Sequence, residues 1–378
     1  MRGLTLQDTA FVASLAGKRK PEFGGGNLSF GSLKELVEEL SLYKDANPSA
    51  GGTLTVNEQS LSSYDYCIKN GNFTVSNFSA SDWFTSTKDT RSAIIVVDGN
   101  LTINEGQTFI PPVRKLFTVL YVTKSLTVNG EISMTARGAN HNGTGDSGGA
   151  VTAKDIRIAT GEFSGVTNPQ IPAAGGNGGA GITQSSKGNT PGNPGSNGTN
   201  GGTGGGGGGS TRRNNYGTAV SGAGTAGTCF TGGTGGGGAQ RHNLGTSTAG
   251  AGTIRGGAGG NGAGEDDTHG VSGGVGNPHG SSFANAPASE DGTGGTIVIF
   301  VKGALKGTGS ITSQGKVSGG STITDACGGS SGGGSINILC GSEDHTLTIS
   351  AAGGIATPVY LYSPGGKGGD GTARILAL

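Results

Sequence analysis

Glycine fills 44 of the 121 residues from Gly175 to Gly295, and part of that stretch keeps a triplet beat. From Gly192 the chain reads GNP GSN GTN GGT GGG GGG, with glycine opening every triplet. A glycine at every third position suits a helix with three residues per turn, the polyproline II geometry. Each such glycine bares a backbone edge, so neighbouring helices can lie close and pair N–H to C=O. An architecture of this kind is held by main chain and makes rods or slabs.

With glycine left out, 31% of the 378 residues are apolar, against roughly 38–43% in an ordinary domain once its glycine, about 7%, is removed from the usual 45–50%. A conventional core therefore covers part of the chain. Low hydrophobicity signals disorder chiefly when net charge is high, but here 25 basic residues balance 25 acidic ones and 13% of positions are charged. Aliphatic blocks on both sides of the glycine region anchor its ends and favour an ordered lattice. Neutrality also argues against nucleic acid, which needs a concentrated basic surface. Lys18-Arg19-Lys20 and Arg212-Arg213 are too short to change that and read as solvated charge.

Cys67, Cys229, Cys327 and Cys340 form no CxxC pair, so they read as small buried thiols and neither a disulfide framework nor a zinc site. No run approaches 18 apolar residues, so no membrane insertion is expected. The short patch Ala10–Ala16 is followed by its basic residues, the reverse of a secretory signal.

Residues 1–31 show no periodicity and read as an extended arm. Ser32 followed by Glu35 is a capping box, and Leu33, Leu36, Val37 and Leu40 share one face, which predicts a helix of about three turns ending near Asp45. Too short to stand alone, it reads as a docking element, with those four residues as its attachment face.

From Gly52 the pattern changes to alternating Thr, Val, Ile and Leu. Residues 93–104 (AIIVVDGNLTIN) give a strand, an Asp-Gly turn and a second strand. The cadence returns in 117–137, in 295–314 and in 334–352, and LTVNGEIS at 126–133 aligns with LKGTGSIT at 305–312. A recurring strand-turn-strand unit reads as a β-solenoid with Ile, Val and Leu inward and Thr and Ser outward. The stack is expected to pause near Gly138, send out a glycine-rich excursion and resume near Gly295. The run KDIRIAT at 154–160 is a candidate last rung before departure.

Within the excursion, glycine runs alternate with varied inserts, notably STRRNNYGTAV (210–220), AQRHNLGTST (239–248) and EDDTH (265–269). The inserts then become turns at the tips of parallel rods, where recognition usually resides. Arg212, Arg213, Asn214, Asn215, Tyr216, Arg241, His242 and Asn243 supply planar donors, amides and a stacking ring suited to carbohydrate or outer-surface protein.

This alternation of glycine runs and variable segments resembles the receptor-binding tail-fibre tip adhesins of T-even-like bacteriophages. Together with β runs such as FTVLYVTKSLTVNGEISMTARGA, it resembles glycine-rich phage tail-fibre proteins more broadly. The likeness covers about residues 93–378. It implies a polyglycine II scaffold whose loops contact the bacterial surface.

Catalytic alternatives find weaker footing. Glycoside cleavage needs two carboxylates about 5–9.5 Å apart, and the candidates Glu265-Asp266-Asp267 and Glu290-Asp291 lie in glycine-rich turns. The five histidines are dispersed, and the six glycines at 204–209 lack the Gly-Lys-Ser/Thr ending of a phosphate loop.

The expectation is an all-β chain: a β-solenoid or β-sandwich-like strand stack with an inserted polyglycine II bundle and one short N-terminal helix. It divides into an arm and helix (1–50), a β-rich region (51–174), the glycine region (175–295) and a closing β-rich region (296–378). The expected role is a non-enzymatic tail-fibre adhesin of the virion, with no cofactor and no metal. Its partners would be a bacterial surface receptor, other tail proteins and copies of itself, as a trimer or a monomeric tip. A solenoid polysaccharide depolymerase and a purely structural virion decoration protein are the alternatives.

Overall fold

The computed structural model describes residues 20–56, 58–76, 79–85, 91–113, 115, 117–138, 210–212, 239–241, 294–316, 332–355 and 367–378. Its described residues are mostly β-strand with one α-helix. Six strands lie side by side in the largest sheet: β3 (Gln59–Asn70), β5 (Ser92–Asp98), β8 (Thr118–Val122), β13 (Thr296–Gly307), β15 (Ser335–His345) and β17 (Thr372–Ala377). Every contact between neighbours in that series is parallel. After each Asp98- or Lys124-type turn the chain enters a second row, β4 (Phe73–Val75), β6 (Leu101–Ile103) and β9 (Leu126–Val128), continued by the far halves of β13 and β15. A third row consists of β7 (Thr108–Phe109), β10 (Glu131–Ser133), β14 (Ser310–Thr312) and β16 (Thr348–Ser350).

The expected strand–turn–strand of 93–104 is therefore present as β5 and β6, but the two strands do not pair with each other. Each pairs with its equivalent in the next pass of the chain. Apolar residues consequently stack on apolar residues. Cys67, Ile95, Leu120, Ile299, Ile338 and Ile375 occupy one register column, and Leu101, Leu126 and Leu305 another. With Phe109, Ile132 and Ile311 of the third row, these side chains form one continuous apolar interior. Trp83, just after a 3-10 turn at Ala80–Asp82, packs edge-on to Phe109 at 5.3 Å and lies in the same cluster.

The outer face of the largest sheet is apolar as well. Ile68, Val96, Tyr121, Phe300 and Leu339 share a second column. Strands buried on both faces read as continuous apolar runs, which is why AIIVV, TVLYV and TIVIFV interrupt the alternation. The cover comes from the N-terminal region: β1 (Leu28–Phe30), α1 (Leu33–Leu40) and β2 (Ala46–Val56). β2 pairs antiparallel with β3, and β1 parallel with β2.

Helix α1 is two turns long, shorter than the three expected. Ser32 Oγ accepts from Glu35 N–H at 3.1 Å as the capping box requires, while the Glu35 carboxylate accepts from Gly31 N–H, one residue before the usual partner. Leu33, Leu36, Val37 and Leu40 are at most 1% exposed and join the cluster of Ile94, Val96, Val119 and Tyr121. This corrects the reading of those four residues as a virion-attachment face: they are the inner side of a cover on the chain's own sheet. The physical reason is complementarity, since an apolar stripe and an apolar sheet face each lose most by remaining in water.

The arm before α1 is tied down from Lys20 onward. Lys20 Nζ donates to Ser41 O at 2.8 Å and Asn70 Oδ1 at 2.5 Å, and pairs with Asp98. Residues 1–19 lie outside the described residues.

Candidate functional site

The geometry that frames the glycine region is the point where the chain leaves and returns. Thr118 faces Ile297, Leu126 faces Leu305 and Ile132 faces Ile311, so every residue of one pass faces the residue 179 further on. Departure and return are stitched together directly. Gly295 N–H donates to Met134 O at 2.8 Å, Met134 N–H to Thr312 O at 2.6 Å, and Ala136 N–H to Gln314 O at 3.1 Å. Arg137 Nε donates to Pro111 O at 2.8 Å, fixing the outgoing strand to the previous connection.

A polar ladder spans the same junction. Thr312 Oγ1 donates to Glu131 Oε1 at 2.6 Å, lies 3.1 Å from Ser133 Oγ and accepts from Thr135 Oγ1 at 3.1 Å. Gln314 Nε2 extends it to Ser350 Oγ at 3.2 Å.

The last three passes begin at a glycine seam. A Cβ on Gly295 would lie 2.9 Å from Arg137 O, and one on Gly294 would lie 2.5 Å from Gly334 N. At Gly334 it would overlap Gly295 O and Ser313 Oγ, and at Gly371 it would overlap Gly334 O. Main chain therefore lies directly against main chain along this edge. The connections 134–296, 312–335 and 350–372 all depart from it.

Two of the expected recognition residues fall on strands. β11 (Ser210–Arg212) and β12 (Ala239–Arg241) form a separate two-stranded parallel ribbon, and its register sets Arg212 opposite Arg241. Arg213, Asn214, Asn215, Tyr216, His242 and Asn243 lie outside the described residues, as do KDIRIAT, the carboxylates of 265–267 and 290–291, Cys229 and Cys327. The alignment of the two arginines was not legible in the sequence, because STR and AQR are too short to show a period.

Cys67 and Cys340 are free, buried thiols. Burial pushes Cys67 up to about 11 and raises Cys340 as well, which keeps both protonated near neutrality. His345 accepts from Leu347 N–H through Nδ1 at 3.2 Å, with Glu343 Oε2 3.4 Å from its Nε2.

A buried charge cluster sits where the early passes turn. Asp65 holds Lys115 Nζ and Arg91 Nε, each at 2.7 Å, and Lys115 is fully buried. Arg91 also donates to Gly51 O at 2.7 Å, and Lys115 to Thr85 O at 3.3 Å. The sequence signal was available: Asp65 interrupts an apolar strand, and Lys115 directly precedes another. A paired charge at such a place pins the connections that carry Arg91 and Lys115 to the sheet.

Comparison with protein-family models, with curated proteins and with solved structures gives no match to this chain.

Proposed function

We propose that this chain is a bacteriophage tail-fibre adhesin in which a β-solenoid carries a polyglycine II segment that recognises the host surface without catalysis. The observation that supports it most is the constant offset of 179 residues across the junction, kept in all three strand rows. A long segment that leaves and returns without disturbing its support is arranged for display, and display on a rigid support is a common setting for recognition. The glycine seam at the junction supports the second half of the reading. It is the same backbone-on-backbone packing that a polyglycine lattice uses, at the place where such a lattice would begin.

In this reading the protein belongs to the virion tail, with other tail proteins and copies of itself as neighbours, a trimer being the expected state. Attachment must use a surface other than the apolar stripe of α1, which is occupied internally.

Adsorption of the purified chain to a panel of bacterial strains tests the reading. The intact protein is expected to adsorb to at least one strain without releasing reducing sugar ends. A variant with Arg212, Arg213, Tyr216 and Arg241 changed to alanine is expected to lose adsorption while keeping its circular dichroism spectrum. Undiminished adsorption by that variant would move recognition elsewhere, and steady release of reducing ends would make the protein a depolymerase.

A further inference from the structure

All three strand rows reach an outer edge on their last described passes, and that edge carries residues unlike those beneath it. Among the described residues, no strand pairs with the outer side of β17, of the far half of β15 or of β16. The edge of a sheet is a template on which another chain can add a strand. Leu347, Ile349 and Ile375 add to that hazard here, since they pack on the interior cluster but are only partly buried.

The first break in pattern is in the second row. Phe73, Leu101, Leu126 and Leu305 share one register column, and its next member is Glu343. Leu305 is fully buried, whereas Glu343 is exposed, with its carboxylate 3.4 Å from His345 Nε2. A strand laid over this pass would strip water from a carboxylate in an apolar column, which is costly.

The second break is in the amide ladder beside the glycine seam. Ala136 N–H donates to Gln314 O at 3.1 Å and Gly315 N–H to Ala352 O at 2.9 Å, each reaching the following pass. Gly353 holds the same place one pass on, three residues beyond Ser350 as Gly315 is beyond Thr312 and Ala136 beyond Ser133. Its N–H donates instead to Asp370 Oδ1 at 2.9 Å. Asp370 is exposed and paired with Lys367 at 3.1 Å. Burial works against its ionised form, but the Gly353 amide and Lys367 outweigh that and hold the carboxyl below its ordinary value. A charged side chain thus takes the donor that a further pass would use.

We propose that this end of the stack is closed to strand addition, and that Glu343 and Asp370 keep a second copy of the chain from docking end-on. Charges placed on the inward side of an edge strand are one of the ways in which sheets are protected from pairing. The inference stands on the described strands alone and does not rest on the adhesin reading. It directs any contact between copies to another face of the molecule.

The test is sedimentation velocity of the full chain over a wide range of concentration, beside Glu343→Leu, Asp370→Ala and the double variant. Glu343→Leu completes the leucine column, and Asp370→Ala frees the Gly353 amide. Glu105→Leu makes the same change at an exposed turn on an early pass and controls for added surface hydrophobicity. The intact protein and Glu105→Leu are expected to give the same mass distribution. The double variant is expected to form larger species, with an association constant at least about tenfold higher, and Glu343→Leu alone to show part of that gain. Adding Thr348→Lys, at an exposed position on the same edge, should reverse the gain, because lysine on an edge strand opposes pairing. Thermal melting checks folding, and if the double variant melts early, Glu343→Leu, which alters one exposed side chain, carries the test.

A mass distribution unchanged in every folded variant overturns the proposal. So does equal association by Glu105→Leu, which would assign the effect to hydrophobicity anywhere on the surface, and so does a gain that Thr348→Lys leaves in place. Growth of the intact protein that Thr348→Lys abolishes would make this end an interface and overturn it as well.

Discussion

At the scale of single residues, the junction depends on what is missing from its side chains. A methyl group at Gly334 would collide with Gly295 O, Ser313 Oγ and the Gly294 carbonyl carbon, two of which are backbone atoms held by ladder bonds. Ser335 N–H donates to Gly295 O at 3.0 Å and Gly334 N–H to Ser313 O at 2.7 Å, so neither side yields cheaply. Gly334→Ala is expected to cost about 2–3 kcal/mol in urea unfolding, the upper part of the range for overpacking. Gly24→Ala, where a Cβ would meet nothing within 4 Å, should stay within about 0.5 kcal/mol. Similar losses at both positions would contradict a seam of close approach. Asp98 carries a different kind of dependence. Burial pushes its carboxyl upward, but hydrogen bonds from Lys20 and Thr123 and the charges of Lys20 and Lys124 outweigh that and leave it lowered. A lowered folded-state pKa stabilises above the unfolded value near 3.9, and that contribution disappears as pH falls through the folded value. The carboxylate is about one-third exposed, so the effect should stay below about 1 kcal/mol. Asp98→Asn should therefore shrink the stability difference between pH 6 and pH 3, and an unaltered acid limb would refute the assignment.

At the scale of elements, α1 shows how a short helix persists through packing. Two turns are marginal in isolation. A cap bond fixes its first turn, and four buried aliphatic side chains tie the helix to the outer face of β5 and β8. Leu36→Ala is expected to cost about 2–5 kcal/mol and Ser32→Ala about 1 kcal/mol, as read by chemical denaturation. A loss at Leu36 no larger than at Ser32 would mean the helix is not part of the core. This element also marks where the sequence stopped being informative. Helix position, cap and apolar stripe were legible because they are local and periodic. The partner of the stripe was not, since nothing in LKELVEEL says whether it meets another protein or a sheet of the same chain. The answer lay in the double-faced runs AIIVV and TVLYV, whose missing alternation signalled a cover on the outer face. The strand repeat was legible for the opposite reason: FTVLYVTKSLTVNGEIS and TIVIFVKGALKGTGSIT are two passes of one stack, and their alignment by type is their alignment in space. Of the recognition residues, the types were legible but the pairing of Arg212 with Arg241 was not.

For the whole molecule the governing fact is that two equivalent corners take very different lengths of chain. From Phe109 to Thr118 the chain advances nine residues; from Ile132 to Ile297, their register partners, it advances 165. Both connections bring the chain into the same sheet. Loop-closure entropy rises by only about 0.6 kcal/mol per doubling of length, so the longer route costs the stack about 2–3 kcal/mol relative to the shorter. Contacts within β8–β13, β9–β13 and β10–β14 must offset that amount, and the fully buried Leu120, Val122, Ile297, Ile299 and Val301 can supply it at about 1.5–3 kcal/mol each. The stack should therefore close without the intervening segment. Replacing residues 139–293 by about four Gly-Ser residues is expected to leave one cooperative unfolding transition at equal or higher denaturant concentration. In the intact protein, a single proteolytic cut within 139–293 should leave both halves in one particle under native conditions, because the β8–β13 ladder joins them without the covalent link. A shortened chain that unfolds gradually, or cut halves that separate, would mean that the glycine-rich segment supports the stack and is not merely carried by it.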